Sequence, residues 1–479
     1  MEEIVLIYPK TGMDEFARQP LSVLTVAGAC EKAGFRVRVV DARTSENPEK
    51  EVRGAGKSSS AVGISAMTGY QVRYALRYAA IVRKENPNLP IVWGGVHPSL
   101  LPEQTLQSQF VDYIVKGEGE ASFVELLSAL ENGREPKDVP GVAYSSGKKV
   151  IINRDRPFLC MDDAPMIPWH LVDMKKYVTV GGKPIIPLQT SRGCPFRCFY
   201  CYNTMFNMRK WRAMSVERTI AEVDNAVEKY KIGGMVFWDD NFFVDRKRAE
   251  GICRGLLSRD LDWEADIRPD LLSSFSGQFL SLLRKSGCSG LFIGAESGCQ
   301  EILNLIKKDT KVGQIVKSVE LCGKHGISPI LSFMIGFPTE TPGQWKETMA
   351  FMNKLKNINK DSQLSLSIFA PFPGTESFDF SIGHGFVPPD SLAGWSDFIT
   401  STAENRQWLS GKQKRLLEDL AFISRLAFQF ERMEEFIKNP LFRLALRTLH
   451  RIEKFRWENE IWSFPLEVRI ANRIYARRS

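Results

Sequence analysis

Short apolar segments alternate with longer amphipathic segments in the first third of the chain. The apolar segments have the length of β-strands, and we predict strands at Glu3–Tyr8, Arg36–Asp41, Ala61–Ser65, Ile91–Trp93 and Asp112–Val115. The amphipathic segments have helical periodicity, and we predict helices at Pro20–Gly34, Val72–Lys84 and Glu120–Asn132. Strands that alternate with helices in this way predict a doubly wound, Rossmann-like parallel sheet.

The same alternation resumes after residue 183. We predict strands there at Ile185–Thr190, Met235–Asp239, Asp262–Ile267, Gly290–Gly294, Ser328–Ile335 and Gln363–Phe369. Six strand–helix units predict a partial (β/α)6 barrel of the TIM type. Functional residues of such barrels are expected at the carboxyl ends of the strands.

The region between the two alternating patterns has a different composition. Val142–Asn153 predicts a β-hairpin, and Arg154–Tyr177 is rich in proline and aspartate, which predicts a linker. We therefore divide the chain into an N-terminal domain (1–140), a hairpin and linker (141–182), a barrel (183–376) and a mostly helical, basic C-terminal region (377–479).

Composition places the chain among globular proteins of a reducing compartment. It has 479 residues, 43% of them hydrophobic, and nine cysteines whose spacing does not form a disulfide framework. Its start lacks a secretory apolar segment, and it has no apolar run long enough to span a bilayer, so we expect a cytoplasmic protein.

Three closely spaced cysteines carry the most specific chemical signal. Cys194, Cys198 and Cys201 lie in the run Thr190–Asn203 with the spacing CxxxCxxC. Three thiolates at this spacing can hold three irons of a cubane cluster and leave the fourth iron open for chemistry. The alternative is a structural zinc site, but zinc needs four ligands, and the nearest preceding histidine, His170, lies in another segment.

The cysteine run and its flanks resemble the radical S-adenosylmethionine (SAM) superfamily. The resemblance implies that the cysteines bind a [4Fe–4S] cluster, that its open iron chelates SAM, and that SAM is cleaved to a 5'-deoxyadenosyl radical. Runs at the ends of the predicted strands, among them "WDDNF", "DIRPD" and "GAESG", also match landmarks of that family. The resemblance implies that the SAM-binding residues are Tyr200, Asp239, Asp240, Arg268, Glu296, Ile335 and Gly336. An alternative role for one of the two adjacent aspartates is to cap the next helix.

The N-terminal loops "GGVHPS" and "VKGEGE" resemble the cobalamin-binding domain that precedes the barrel in one large radical SAM subfamily. This resemblance implies that the corrinoid is contacted by Ser65, Thr68, Gly94, Gly95 and His97, with Glu118 nearby. The Asp-x-His-x-x-Gly run of cobalamin proteins with a histidine ligand is absent from the sequence. A purely structural domain without cobalamin is therefore the alternative.

The combined resemblance implies an enzyme that methylates an unactivated carbon of a lipid or another secondary metabolite. The same architecture also implies a second candidate, an oxidative cyclase or C–C bond-forming enzyme that acts on a tetrapyrrole or lipid. A corrinoid carrier or sensor is the non-enzymatic alternative. The catalytic residues are not predicted by the sequence, and the expected electron donor is a reductant protein such as flavodoxin or ferredoxin.

The C-terminal region is basic and aromatic. Residues 441–479 contain nine Lys or Arg and four Asp or Glu, which gives +5 of the chain's net charge of +8. Such a mixture predicts peripheral contact with an anionic membrane, and through it an apolar substrate, while nucleic acid is disfavoured. The alternative is a helical cap with a solvated basic face.

Overall fold

The N-terminal domain contains a seven-stranded sheet with helices on both faces. The computed structural model describes residues 3–12, 14, 17–434 and 440–461. The elements of this domain are β1 (Glu3–Tyr8), α1 (Leu21–Lys32), β2 (Arg36–Asp41), α2 (Pro48–Ser58), β3 (Ser59–Ser65), α3 (Tyr70–Glu85), β4 (Ile91–Gly94), α4 (Val96–Leu100), α5 (Pro102–Leu106), β5 (Tyr113–Val115), α6 (Gly119–Glu131), β6 (Val142–Ser146) and β7 (Lys149–Ile152).

The strand order β2-β1-β3-β4-β5-β6-β7 confirms the doubly wound prediction. β1 to β5 are parallel, and the order reverses at β1, the kind of switch point at which doubly wound sheets bind ligands. The hairpin β6–β7 pairs antiparallel with β5, so it extends this sheet instead of belonging to the linker. Helix α2 was not predicted, because its sequence PEKEVRGAGKS buries only Val52, Ala55 and Gly56.

A connector without long elements follows the hairpin. It contains three single 3₁₀ turns, at Met161–Asp163, Trp169–Leu171 and Met174–Lys176. Its buried side chains Ile167 and Trp169 pack into the core of the second domain together with Leu21 and Leu24 of α1. The connector therefore fills the interface between the two domains.

The second domain contains another seven-stranded sheet. Its elements are β8 (Thr179–Val180), β9 (Lys183–Leu188), β10 (Ser191–Arg192), α7 (Asn203–Phe206), β11 (Arg212–Ala213), α8 (Val216–Tyr230), β12 (Gly234–Phe237), α9 (Arg246–Leu256), β13 (Asp262–Ile267), α10 (Pro269–Leu272), α11 (Gly277–Lys285), β14 (Cys288–Glu296), α12 (Gln300–Leu305), α13 (Val312–His325), β15 (Ser328–Ile335), α14 (Pro342–Ile358) and β16 (Gln363–Ile368).

Six of these strands are parallel and adjacent in chain order, as predicted. The sheet order is β16-β15-β14-β13-β12-β9-β8, and β8 alone pairs antiparallel. Alternate residues of β16, such as Leu364 and Leu366, are buried in the core that the outer helices cover, while Ser365 and Ser367 on the opposite face are half-buried. The polar face therefore lines the inside of an open half-barrel.

The C-terminal region is helical, which confirms the prediction. It contains α15 (Glu376–Ile382), α16 (Gly411–Glu434) and α17 (Pro440–Glu458). A single 3₁₀ turn at Ala393–Asp397 returns to the N-terminal domain, where the Trp395 carbonyl accepts a hydrogen bond from the Gly69 amide at 3.1 Å. No helix in the described residues is long and apolar enough to cross a membrane. The basic segment 462–479, with Trp462 and Tyr475, lies outside the described residues.

Candidate functional site

The three clustered cysteines lie in the connection of a two-stranded ribbon. β10 and β11 pair antiparallel, and residues 193–211 form the loop between them. Cys198 is buried, and Cys194 and Cys201 are half-buried. Burial, followed by the charges of Cys198 and Asp240, raises the pKa of Cys201 to about 12. Among the described residues, no three His, Cys, Asp or Glu side chains stand close enough to hold a single metal ion.

Arg268 places a buried positive charge against this loop. Its Nη1 donates to Cys198 Sγ at 3.3 Å, and its Nε donates to Asp270 Oδ1 at 2.9 Å. Its Nη2 donates to the backbone carbonyl of Lys308, and the guanidinium lies 3.8 Å from the centre of the Phe196 ring. A buried cation therefore lies in direct contact with one of the three clustered cysteines.

Lys308 is a site residue that sequence reasoning missed. Its Nζ lies 2.9 Å from Glu296 Oε1 and 3.4 Å from Tyr200 Oη. Burial, followed by the charge of Glu296, raises the pKa of Tyr200 above its ordinary value. The structure therefore brings Tyr200, Glu296 and Arg268 together beside Cys198, with an unpredicted lysine among them.

The adjacent aspartates hold the start of the cysteine loop. Asp239 accepts hydrogen bonds from the Thr190 amide at 2.6 Å, from Thr190 Oγ1 at 2.8 Å and from Ser191 Oγ at 2.6 Å. Asp240 accepts from the Gly193 amide, from Tyr202 Oη and from Asn203 Nδ2, at 2.6 to 2.8 Å.

Both carboxylates thus have hydrogen-bond partners within the protein, and their contact with SAM stays a prediction. The alternative role as a helix cap is corrected, because the Asp245 side chain, and neither of these aspartates, caps the following helix α9 by accepting from the Arg248 amide.

Asp266 is a second residue that the prediction missed. It lies on the half-barrel side of β13, where it alternates with the buried Ala265 and Ile267. Burial, followed by the charges of Asp239 and Asp240, raises the pKa of Asp266 to about 7. This carboxyl group can therefore hold or release a proton near neutral pH.

The stretch Ile335–Gly336 does not present free backbone to a ligand. The Ile335 carbonyl accepts from the Phe369 amide at 2.9 Å. The Gly336 amide donates to Glu340 Oε2 at 2.6 Å, and its carbonyl accepts from Trp408 Nε1 at 3.0 Å. These backbone groups therefore have partners within the protein, and the contact of Ile335 and Gly336 with SAM stays a prediction.

A cleft opens between the first sheet and the cysteine loop. It encloses about 1090 Å³, its open mouth included. On the N-terminal side the predicted residues Ser65, Gly94, Gly95 and Glu118 line it. On the barrel side the lining includes Gln189, Arg192, Tyr202, Phe206, Asn207 and Asp240.

Glycine shapes the floor of this cleft. A Cβ at Gly63 would lie 2.6 Å from Leu6 and 3.1 Å from Phe123, so no other residue fits there without displacement. The surrounding Val23, Val26 and Val92 make the floor apolar. A flat, largely apolar macrocycle such as a corrin matches a floor of this kind.

Thr68 and His97 lie outside the cleft, which corrects their predicted role. Thr68 Oγ1 lies 2.9 Å from His97 Nδ1, and the His97 ring meets the Trp395 ring edge-on at 5.8 Å. Burial lowers the pKa of His97 to about 4. The pair fastens the C-terminal region to the first domain, because Trp395 Nε1 also donates to Gln104 Oε1 at 2.7 Å.

The residues present fit the implied iron–sulfur cluster and the implied corrinoid. Free thiols gather beside the buried cations Arg268 and Lys308, which suits an anionic iron–sulfur cluster. The glycine-floored cleft reaches from the first sheet to Tyr202, Phe206 and Asn207 of the cysteine loop and to Asp240, which accepts hydrogen bonds from that loop. A corrinoid bound in this cleft would therefore face the cluster loop directly.

Sequence comparison gives two matching domains. Residues 188–352 match the radical SAM superfamily, and residues 15–127 match the B12-binding domain. An uncharacterized methyltransferase from Pyrococcus horikoshii is 34% identical over 330 residues, which is 68% of this chain and 70% of that protein. The anaerobic magnesium-protoporphyrin IX monomethyl ester cyclase of Rubrivivax gelatinosus is 28% identical over 372 residues, 75% of this chain and 65% of the cyclase.

Structural comparison gives the same fold over the whole chain. The cobalamin-dependent SAM radical enzyme OxsB, solved with aqua-cobalamin and SAM, superimposes with a TM-score of 0.74 at 18% identity. The match covers 100% of this chain and 75% of that enzyme. The chain therefore belongs to the cobalamin-binding radical SAM superfamily of enzymes, whose cofactors are a [4Fe–4S] cluster, S-adenosylmethionine and cobalamin.

Proposed function

We propose that this enzyme transfers a methyl group to an unactivated carbon of a small molecule. The observation that supports this reading is the shared cleft, whose walls come from the first domain and from the cysteine loop. When bound, the cluster with SAM supplies radical chemistry, and cobalamin supplies a methyl group. A cleft shared by both sites lets one substrate carbon meet both kinds of chemistry.

The chain's own residues hold this arrangement in place. We assign the cluster to Cys194, Cys198 and Cys201, with Asp239 and Asp240 fixing the loop that carries them. Fixed hydrogen bonds of this kind keep reacting groups in one geometry without reorganisation during turnover.

The SAM and corrinoid contacts follow from the same geometry. We assign Tyr200, Arg268 and Glu296, together with Lys308, to the SAM side, because they converge beside Cys198. The corrinoid side comprises Ser65, Gly94, Gly95 and Glu118, because these residues line the cleft.

Product analysis tests the reaction. The anaerobically reconstituted protein, given hydroxocobalamin, reductant and a cell extract as substrate source, should form S-adenosylhomocysteine in step with 5'-deoxyadenosine. 5'-Deoxyadenosine without S-adenosylhomocysteine would contradict methyl transfer. It would favour the oxidative cyclase, a candidate that the similarity to the Rubrivivax enzyme supports.

A lipid substrate and peripheral membrane contact are supported by the exposed face of α17. Leu444 and Phe455 are 61% and 60% exposed, and Ile452 between them is 40% exposed. The neighbouring Arg451 and Lys454 are also exposed. Apolar and basic side chains that share one helix face suit the surface of an anionic bilayer.

Vesicle binding tests this contact. Replacing Leu444 and Phe455 together by serine should weaken binding to phosphatidylglycerol vesicles about a thousandfold, because burial of each apolar side chain contributes roughly 2 kcal/mol and the two together about 4 kcal/mol. Serine at Val387, which is 69% exposed but lies outside this helix, is the matched control. Equal binding of the Leu444/Phe455 variant and the Val387 control would contradict the proposed membrane contact. It would also remove the main support for a lipid substrate.

A reductant protein such as flavodoxin or ferredoxin is the proposed electron donor. The cysteine loop exposes Met205 and Met208, at 53% and 52%, next to the exposed Arg209 and Lys210. Apolar and basic groups beside the cluster suit an acidic redox partner. Charge reversal to glutamate at Arg209 and Lys210 should slow reduction by flavodoxin about tenfold and leave reduction by dithionite unchanged.

A further inference from the structure

The ribbon that carries the cysteine loop places two arginines opposite each other. Arg192 of β10 and Arg212 of β11 are register partners in the antiparallel pair. Like charges directly opposite in a sheet are destabilising. Both guanidinium groups reach Glu118 Oε1, from Arg192 Nη1 at 2.9 Å and from Arg212 Nη1 at 2.7 Å. One carboxylate of the first domain therefore bridges the two arginines of the ribbon base.

A second carboxylate of the same loop completes the contact. Arg192 Nη2 donates to Glu120 Oε1 at 2.5 Å, and Arg192 Nε donates to Gln189 Oε1 at 3.0 Å. The Arg192 and Glu120 side chains are only 12% and 7% exposed. Buried, charge-assisted hydrogen bonds are strong and geometrically restrictive, so Arg192 has little freedom to move.

The connector between the domains is held at the same point. The Leu159 amide donates to Glu118 Oε2 at 2.7 Å. The neighbouring Phe158 ring lies 4.0 Å from the guanidinium of Arg212. Three separate segments, namely the loop after β5, the connector and the cysteine ribbon, therefore meet at Glu118.

We infer that Arg192, held by Glu118 and Glu120, is a positioning residue that fixes the distance between the corrinoid and the iron–sulfur cluster. Glu118 lines the cleft on the first-domain side, and Arg192 is two residues from Cys194. Movement of either loop must therefore be transmitted to the other. This inference rests on the proposed use of the cleft by a corrinoid, but it does not depend on which product forms.

Pulsed dipolar electron paramagnetic resonance (EPR) tests the inference on the full-length holoenzyme. It measures the distance between cob(II)alamin and the reduced cluster. The Glu120→Gln variant and the double variant Arg192→Met/Glu120→Met should both widen the distance distribution about twofold. In the double variant Glu118 keeps Arg212 as its partner, so no buried charge is left unpaired and this variant remains informative if Glu120→Gln fails to fold.

A change in the distance between corrinoid and cluster should also change kcat. A displacement of about 1 Å between reacting groups lowers kcat by up to about 100-fold, while KM for SAM should stay unchanged. Arg259→Met is the matched control, because it breaks a two-fold Arg–Asp contact with Asp224, at 2.6 and 2.7 Å, within the barrel domain alone.

Two results would overturn the inference. One is a distance distribution equal to that of the wild type in both variants, at full iron and corrinoid content. The other is a folded variant that keeps its cluster but loses cob(II)alamin, because Glu120 would then belong to the corrinoid-binding surface. Failure to form methylated product at an altered distance would count against the proposed function and leave the inference standing.

Discussion

The guanidinium of Arg268 donates a hydrogen bond to Cys198 Sγ at 3.3 Å, and both side chains are buried. Hydrogen bonds and positive charge near cluster sulfur raise the reduction potential, because they stabilise the more negative reduced state. The same arginine also bonds to Asp270 and to the Lys308 carbonyl. Its position is therefore set by the protein and does not depend on a bound ligand.

Substituting Arg268 should lower the reduction potential of the cluster. Arg268→Gln removes the charge and one hydrogen bond of about 1 kcal/mol, which corresponds to roughly 40 mV for one electron. An EPR-monitored redox titration measures this shift. Arg406→Gln, which removes a buried arginine bonded to the Phe369 and Ile399 carbonyls, is the control and should leave the potential unchanged. An unaltered potential in Arg268→Gln would show that the sulfur contact has no electrostatic effect.

Serine substitutions should separate cluster cysteines from other cysteines. Cys194→Ser, Cys198→Ser and Cys201→Ser should each lose most of the iron and sulfide of the reconstituted protein, because a cubane needs all three ligands. Cys160→Ser, at an exposed cysteine outside the loop, should keep both. Iron and acid-labile sulfide analysis makes the comparison. Retention of zinc without sulfide would support a zinc site instead.

Breaking the ion pair between Lys308 and Glu296 should destabilise the fold. Both side chains are less than a tenth exposed, at 6% and 8%. Lys308→Met leaves a buried carboxylate without its cation and should cost about 3–5 kcal/mol of unfolding free energy. Lys308→Met/Glu296→Gln should recover most of that loss, because the buried charge is gone. Urea unfolding measures the free energy of unfolding of the single and the double variant. Equal values for the two would indicate that water reaches the Lys308–Glu296 pair.

His97 should make stability depend on pH in the acidic range. Burial lowers its folded pKa to about 4 from an ordinary value of 6.5, so the unfolded chain binds the extra proton between these values. The free energy of unfolding therefore keeps its full value above pH 6.5 and falls by about 3 kcal/mol as the pH drops to 4. His97→Gln should flatten this part of the profile, and His384→Gln, at an exposed histidine, should not. If the free energy of unfolding depended on pH in the same way in the wild type and in His97→Gln, a buried neutral imidazole at His97 would be contradicted.

The architecture was readable from the sequence because it follows from local periodicity. Each predicted strand of both sheets is present, because local patterns mark them: Glu3–Tyr8 is a largely buried apolar run, and Asp262–Ile267 alternates buried residues with more exposed ones. The sequence predicts the hairpin Val142–Asn153 but not its pairing with β5, because the residues of a hairpin do not indicate which strand lies beside it. Which strands pair is decided by contacts between distant segments, and local patterns in a single sequence do not indicate these contacts.

The partners of the site residues were not readable for the same reason. The acceptor role of Asp239 depends on Thr190 and Ser191, which lie 49 and 48 residues earlier in the chain. Lys308 stands in the charged run "KKDT", which has the composition of a solvated turn. Only folding shows that its side chain points inward to Glu296.

The turn at Trp395 has a consequence for how this protein is made. Trp395 binds Gly69, Gln104 and His97 of the first domain, although the barrel strands end near residue 368. On the ribosome, Gln104 is made 291 residues before Trp395, so this contact of the first domain forms late in translation. A fragment that stops at residue 376 would contain every barrel strand and still lack the partner of Gly69, Gln104 and His97 in the first domain. Expression of isolated domains is thus expected to require a chaperone, or to fail by aggregation.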